Sequence, residues 1–173
     1  SIELLPPNLN KIIIYCHGLG ASKTWIERFK SLNDLKIGLI SFDFPGHGDD
    51  TTDFSKFSLN LCITYLEETI KKTKDKYNVP IYLFGSSFGG FVILNKILKN
   101  NNVDKVILMC PAINFSDILE YKTNIPKNYF DNHDYLELYK NIKIYKDTYF
   151  ELKKSTELLK KSKFKNITII QGT

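Results

Sequence analysis

The stretch most suggestive of chemistry is Gly85-Ser86-Ser87-Phe88-Gly89, which matches the pattern G-x-S-x-G. An apolar run at 81–84, typical of a buried strand, precedes it, and a helical pattern follows directly. A serine at such a strand–turn–helix junction is held above the sheet in a strained conformation, where its hydroxyl can attack a carbonyl carbon. The flanking glycines fit because the strand and helix backbones crowd each other at the turn. The pentapeptide alone is equally compatible with a Gly/Ser-rich connection that has no chemical role.

Two further loops follow strand-like runs upstream of this motif. His17-Gly18-Leu19-Gly20 comes directly after the β-branched and aromatic run 11–16, and Pro45-Gly46-His47-Gly48 closes a second run at 37–44. Continuous apolar runs of this kind are typical of parallel strands that are buried on both faces. The carboxyl ends of parallel strands meet at one edge of a sheet, where open α/β sheets bind ligands. We therefore expect the three loops to lie together.

The elements that must position these loops alternate between strand and helix. Continuous apolar runs predict the strands, and apolar residues at spacings of three or four predict the helices. The sequence thus predicts an α/β fold with a doubly wound, mostly parallel sheet of about five strands flanked by helices. The predicted strands are 11–16, 37–44, 81–84, 103–110 and 167–170, the last ended by Gly172, and the predicted helices are 23–32, 58–76 and 88–100. Ser22 is the expected N-cap of the first helix, whose apolar face includes Trp25.

Between the fourth and fifth strands the pattern changes to a segment rich in Tyr, Lys and Asn. Because it is too long for an ordinary crossover, we expect a helical cap or insertion at 112–165 that lies over the carboxyl edge of the sheet. It should contain two or three helices, one of them at 147–161. A crossover helix followed by a mobile loop is the alternative. The length of 173 residues favours a single domain, 1–173, that includes this insertion.

Composition argues against several functional classes. The formal charge of +5 comes from scattered lysines, and the only arginine is Arg28, so we expect no nucleic-acid binding. No apolar run approaches the ~20 residues that cross a bilayer, and the start does not resemble a signal peptide. The three cysteines, Cys16, Cys62 and Cys110, are far apart and lack metal-binding spacing. Cys16 and Cys110 lie in apolar runs and are expected to be buried, reduced thiols, which favours a cytoplasmic location.

In this order and spacing, the loops at 17–20, 45–48 and 85–89 resemble those of the α/β-hydrolase superfamily, especially its esterase, lipase and serine-aminopeptidase-like members. The resemblance covers essentially all of residues 11–173. Together the three loops are far more specific than any one of them. By analogy with the superfamily, the five predicted strands should lie in the order second, first, third, fourth, fifth.

The resemblance implies a role for individual residues. It implies that Ser87 is the catalytic nucleophile and that the backbone N–H groups of Leu19 and Phe88 form the oxyanion hole. The helix that begins at Phe88 would add its positive N-terminal end to this site. Residues with an implied structural role in shaping the loops are His17, His47 and Asp43.

The chain departs from the superfamily at its carboxyl end. In these enzymes an acid and then a histidine follow the serine, and the acid commonly stands just beyond the strand matched here by 167–170. The sequence stops at Thr173, before either position, so we expect it to be incomplete at this end. Asp117 and His133 are the possible substitutes, but nothing in the sequence fixes their geometry. The first two strands of the superfamily sheet are also expected to be absent, because residues 1–10 are too few for a hairpin and its connection.

These features favour a serine hydrolase that acts on carboxylic esters through an acyl-enzyme on Ser87, with the expected acid and histidine missing from this sequence. The alternatives are a catalytically inactive binding protein that keeps the pocket, and an acyltransferase. The expected partner is a small-molecule ester or acyl compound. No metal or organic cofactor is implied, and the sequence leaves the oligomeric state open.

Overall fold

The computed structural model of the chain describes residues 1–171, apart from the side chain of Lys140. The strands are β1 (Ile2–Leu4), β2 (Lys11–Cys16), β3 (Ile37–Ser41), β4 (Ile81–Ser86), β5 (Lys105–Met109), β6 (Tyr135–Glu137), β7 (Lys143–Tyr145) and β8 (Ile167–Ile170). The α-helices are α1 (Leu59–Lys76), α2 (Phe88–Lys99), α3 (Phe115–Thr123) and α4 (Lys146–Lys160). Gly172, which was expected to end the last strand, lies outside the described residues.

The core of the fold is a six-stranded sheet in the order β1-β3-β2-β4-β5-β8. The five predicted strands are all present, and neighbouring pairs among them are parallel. Their order matches the one expected from the superfamily. The mostly parallel α/β fold is therefore confirmed, and the carboxyl ends of β2, β3 and β4 meet at one edge as predicted.

The amino-terminal segment corrects one expectation. It was predicted to contribute no strand, yet Ile2 pairs with Ser41 and Leu4 with Leu39, so β1 adds an antiparallel edge to the sheet. The prediction considered a hairpin together with its connection, for which ten residues are too few, whereas a single strand of three residues fits in the segment. Ile2 and Leu4 also pack against the smaller of the two apolar clusters, and this contact keeps the segment on the sheet.

Two apolar clusters cover the two faces of the sheet. The larger lies under α1, α2 and the insertion, and the smaller lies under the segment Lys23–Leu35. The predicted helix 58–76 is confirmed, and Ser58 caps it by accepting a hydrogen bond from Leu61 N at 3.1 Å. This capping satisfies one of the free N–H groups at the helix start.

The segment Lys23–Leu35 differs from the α-helix predicted there, because it is built of 3-10 turns. Ser22 makes no capping bond to the backbone; instead its hydroxyl contacts that of Thr24 at 2.8 Å. Ile26 is buried, whereas Trp25 is exposed and lies under the guanidinium of Arg28, 3.9 Å from the ring centre. A 3-10 turn places residues three apart above one another, so the apolar face is narrower than an α-helix would make it.

The insertion after β5 is present, but it is only partly helical. It contains α3, α4 and an antiparallel pair formed by β6 and β7. The short pair was not predicted, because strands of three residues leave no periodic signal in the sequence. The bounds 112–165 for a separate cap stay a prediction.

Helix α4 is anchored to the start of α1. The carboxylate of Glu151 accepts hydrogen bonds from Leu59 N at 2.8 Å and Asn60 N at 3.0 Å. The hydroxyl of Thr148 donates to the carbonyl of Phe57 at 2.6 Å. A carboxylate at a helix N-terminus satisfies free N–H groups and interacts favourably with the helix dipole. These contacts hold the insertion against the core.

The cysteines divide into two environments. Cys16 and Cys62 are buried, and burial raises the pKa of both thiols. Cys110 is exposed, with φ of 45°, which corrects the expectation that it is buried. Strand β5 ends one residue earlier, at Met109; Cys110 N still donates to the carbonyl of Ile170 at 2.8 Å, but the extended conformation of the strand does not continue through Cys110. Within residues 1–171, no helix is both long and apolar enough to span a membrane.

Candidate active site

Ser87 is the single residue that connects a strand to a helix. Strand β4 ends at Ser86, α2 begins at Phe88, and Ser87 has φ of 49° and ψ of −116°. A positive φ outside glycine costs about 1–3 kcal/mol and persists only where surrounding contacts impose it. Ser87 N donates to the carbonyl of Met109 at 3.1 Å, and its own carbonyl accepts from Ala112 N at 3.1 Å. The side chain is exposed, as a reacting group must be.

The glycines of the motif allow strand and helix to approach each other. A Cβ on Gly85 would lie 2.7 Å from the backbone nitrogen of Gly90. A Cβ on Gly89 would lie 2.5 Å from the carbonyl carbon of Cys16 and 2.7 Å from the carbonyl oxygen of His17. Both positions exclude any side chain, because the opposing atoms belong to the backbone. The helix N-terminus therefore lies directly against the end of β2.

The loop after β2 is a tight turn that lies beside Ser87. Ala21 N donates to the carbonyl of Gly18 at 3.1 Å, and Gly20 has φ of +72°, the values expected at the last and third positions of a type II turn. A Cβ on Gly18 would lie 3.5 Å from Ser87 Cβ and 3.9 Å from Ser87 Oγ. Leu19, at the second position of this turn, therefore lies close to the serine.

His17 connects this turn to the loop after β3 by hydrogen bonds. Its Nε2 accepts a hydrogen bond from Phe44 N at 3.0 Å, so Nδ1 carries the proton and donates to the carbonyl of Gly18 at 2.8 Å. In a trans peptide the carbonyl and the following N–H point in opposite directions, so this bond also orients the N–H of Leu19. Burial lowers the pKa of His17 to about 4, and the ring is neutral at pH 7. Both ring nitrogens are occupied, so His17 is not placed to accept the proton of Ser87.

The loop after β3 is held by Asp43. Its carboxylate accepts from Lys23 N at 2.7 Å and Asp49 N at 3.0 Å, and it pairs with the ammonium of Lys23. Burial favours the neutral acid, but these bonds outweigh it and lower the pKa of Asp43. Asp43 therefore supports the turn, as expected. His47 bonds the carbonyl of Pro45 through Nδ1 at 2.9 Å and packs beside the ring of His17.

A cavity of about 960 Å³ opens beside the serine. Its wall is mixed, with apolar side chains from the insertion, including α3, and with polar and charged side chains. Among the residues that line it are Leu19, Ser87, Cys110, Phe115, Leu138 and Tyr139. Phe88 contributes only its backbone at this edge, since its side chain is fully buried in the core. The structure thus brings the predicted residues Leu19, Ser87 and Phe88 together, and their catalytic roles stay predictions.

Cys110 and Tyr139 line the cavity but were not among the predicted site residues. Cys110 had a usable signal, because it lies directly after a parallel strand, where such sheets bind ligands. Tyr139 had none, since it reaches Leu19 across 120 residues of sequence.

The proposed substitutes for the acid and base are not brought together. His133 is exposed, stacks on the ring of Tyr129 at 4.1 Å and bonds its carbonyl through Nδ1. Asp117 lines the cavity but pairs with Lys160 at 2.8 Å. In the part of the chain that the structure describes, no histidine forms a hydrogen bond with the Ser87 hydroxyl, and no His, Cys, Asp and Glu residues form a group of three or more that could hold a metal.

Comparison with solved structures finds the same fold in several esterases and lipases. Est1E from Butyrivibrio proteoclasticus, solved with ferulic acid bound, superimposes with a TM-score of 0.78 at 15% identity, over 98% of this chain and 83% of that one. A monoacylglycerol lipase from Paleococcus ferrophilus gives 0.66 at 15% identity, over 99% and 87% of the two chains. Alpha/beta hydrolase domain-containing protein 10 from mouse gives 0.63 at 17% identity, over 89% and 64%. At these identities the likeness shows the fold alone.

Sequence comparison adds the family. No curated protein matches the sequence. The family described as serine aminopeptidase, S33, matches residues 7–155, which include the loops at 17–20, 45–48 and 85–89. The match covers most of the chain, and the sheet order and the sharp turn at Ser87 agree with it. The chain therefore belongs to the serine aminopeptidase S33 family of the α/β-hydrolase superfamily.

Proposed function

We propose that this protein is a serine hydrolase that cleaves carboxylic esters of small molecules. Ser87 attacks the ester carbonyl and becomes acylated, the alcohol leaves, and water then releases the acid. The N–H groups of Leu19 and Phe88 donate to the oxyanion that forms on the carbonyl oxygen. Each such donor is worth about 3–4 kcal/mol of transition-state stabilisation.

The observation that carries the proposal is the conformation of Ser87. Its φ of 49° is imposed by contacts on both sides of the turn, and its exposed side chain faces a cavity of about 960 Å³. Strain of this kind concentrates where a reacting group must be held in place. The N-terminus of α2 and the turn that contains Leu19 lie next to it, so N–H dipoles are available where negative charge develops.

The cavity wall supports an ester with an apolar or aromatic acyl group. Phe115, Leu138 and Tyr139 line it beside Ser87. Two structural neighbours also support such an acyl group, since one was solved with ferulic acid bound and another is a monoacylglycerol lipase. A small-molecule ester partner is accordingly part of the proposal. A cytoplasmic location stays a prediction.

The test is covalent labelling of the full-length gene product with a fluorophosphonate probe. Labelling should occur at Ser87, and Ser87→Ala should abolish it. Ser86→Ala is the matched control, because it removes a neighbouring hydroxyl that bonds Tyr15 at 2.8 Å, and it should keep the label. Equal labelling of wild type and Ser87→Ala would end the assignment.

A catalytically inactive binding protein is the second candidate. It is favoured by one observation: among the described residues, no histidine bonds the Ser87 hydroxyl, and a serine without a base is a weak nucleophile. Turnover of p-nitrophenyl esters by wild type but not by Ser87→Ala would exclude this candidate. A tightly bound ester that is not cleaved would favour it. Acyl transfer uses the same groups, and analysis of the products with added alcohol would separate it from hydrolysis.

A further inference from the structure

Tyr139 connects the insertion to the turn beside Ser87. It lies in the short 3-10 helix Tyr139–Asn141 between β6 and β7. Its hydroxyl donates to the carbonyl of Leu19 at 2.7 Å. Its ring covers Gly20, where an added Cβ would lie 2.8 Å from Cε2 of Tyr139. One side chain of the insertion therefore contacts two consecutive residues of the turn.

Leu19 is consequently held at both of its peptide bonds. The carbonyl of Gly18, which precedes the Leu19 N–H, accepts the bond from His17 at 2.8 Å. The carbonyl of Leu19 itself accepts the bond from Tyr139. The first contact comes from the core and the second from the insertion. Between them they restrict rotation on either side of the Leu19 Cα, next to the N–H assigned to the oxyanion.

The turn is of a kind that needs such restraint. Gly20 has φ of +72°, as in a type II turn. Type I and type II turns differ chiefly by a flip of the middle peptide, here Leu19–Gly20. The Tyr139 hydroxyl binds the carbonyl of that peptide and so selects one of its two orientations. The Leu19 N–H belongs to the preceding peptide, Gly18–Leu19, which meets the Leu19–Gly20 peptide at the Leu19 Cα, so the conformation of the turn links the two peptides. An oxyanion donor is effective only when its direction is set before charge develops.

Core packing does not account for this contact. Tyr139 is 60% exposed, so its ring contributes little buried area. It nevertheless lines the cavity together with Leu19 and Ser87. The hydroxyl of Tyr139 therefore stabilises the turn rather than the insertion.

We propose that Tyr139 is a positioning residue, which holds the Leu19–Gly20 peptide, and through it the turn that carries the Leu19 N–H, in the conformation needed for oxyanion stabilisation and makes that conformation depend on the insertion. This inference rests on the proposed function of Ser87. It assigns the insertion a part in the chemical step, in addition to lining the cavity.

The test compares Tyr139→Phe with Tyr135→Phe in the full-length gene product. Tyr139→Phe removes one hydroxyl and keeps the ring over Gly20. Tyr135 lies in the same insertion, does not line the cavity, and its hydroxyl forms no hydrogen bond with another described residue. For each variant, kinact and KI of the fluorophosphonate are measured, together with the melting temperature.

We expect Tyr139→Phe to lower kinact about ten-fold, because a donor is misaligned rather than removed, and removal costs about 10²–10³. KI and the melting temperature should stay at the wild-type values, and Tyr135→Phe should match wild type in all three. A wild-type kinact in Tyr139→Phe, with labelling still dependent on Ser87, would overturn this inference alone. A raised KI or lowered melting temperature with unchanged kinact would show a merely structural role. Absence of Ser87-dependent labelling in wild type would overturn the proposed function and this inference with it.

Discussion

Replacing Gly89 with alanine tests whether the close approach of helix and strand creates the turn at Ser87. Gly89 is the second residue of α2, and its Cα faces the end of β2. An added Cβ would lie 2.5 Å from the carbonyl carbon of Cys16, 2.7 Å from the carbonyl oxygen of His17, and closer still to the carbonyl oxygen of Cys16. Ordinary contacts at such a position are about 3.4 Å or more. The change therefore forces strand and helix apart.

Two opposing effects set the size of the loss. Alanine is favoured over glycine inside a helix by about 1 kcal/mol. Overpacking a tight contact typically costs about 1–3 kcal/mol, and the upper end applies because the opposing atoms are backbone atoms, which cannot rotate away. The net expectation is a loss of about 2 kcal/mol in the free energy of unfolding. For a chain of 173 residues this corresponds to a fall of roughly 4–8 °C in melting temperature.

The assay is urea unfolding followed by circular dichroism, with Gly18→Ala as the control. That control makes the same chemical change, but its Cβ would meet nothing closer than 3.5 Å, and its φ lies outside the left-handed region. Its stability should stay within about 1 kcal/mol of wild type. If Gly89→Ala is as stable as wild type or more so, helix propensity dominates and the steric account of this turn is refuted.

Three further changes test the electrostatics. Burial lowers the pKa of His17 to about 4, below its ordinary value of about 6.5. The unfolded chain therefore binds a proton that the folded chain does not, and stability falls as the pH drops through this window. The free energy of unfolding should be about 2 kcal/mol lower at pH 5 than at pH 7, and His17→Asn should remove that dependence. Asp43→Asn should cost about 2 kcal/mol at pH 7, and because its folded pKa is lowered the difference should narrow as pH falls below about 4; a difference that persists at low pH would contradict this. Glu151→Gln should lower the free energy of unfolding by about 1–2 kcal/mol, because it weakens the hydrogen bonds to the start of α1. Its control, Glu157→Gln, breaks a surface pair with Lys160 and should lower it by under about 0.5 kcal/mol. Equal losses of the two variants in urea titrations would refute the anchoring role.

Prediction from sequence succeeded where a residue's surroundings follow from its immediate neighbours. Runs such as 12–16 are apolar because both faces of the strand are covered, so the run itself reveals the burial. The helix predicted at 58–76 was found at Leu59–Lys76 for the same reason, because its apolar stripe has helical spacing. Trp25 was wrongly placed because a 3-10 segment does not keep the angular spacing that the prediction assumed.

Sequence alone determined the parallel sheet, the sharp turn that carries Ser87 and the edge at which Leu19 and Phe88 meet it, because apolar periodicity and glycine spacing are local properties. Tertiary structure alone decided that β1 joins the sheet, that Cys110 is exposed at the cavity, and that Tyr139 holds the carbonyl of Leu19. Each of these depends on contacts outside the local pattern, and for Tyr139 the partners are 120 residues apart. No local pattern encodes such a distance, because the pairing is set by how the whole chain packs.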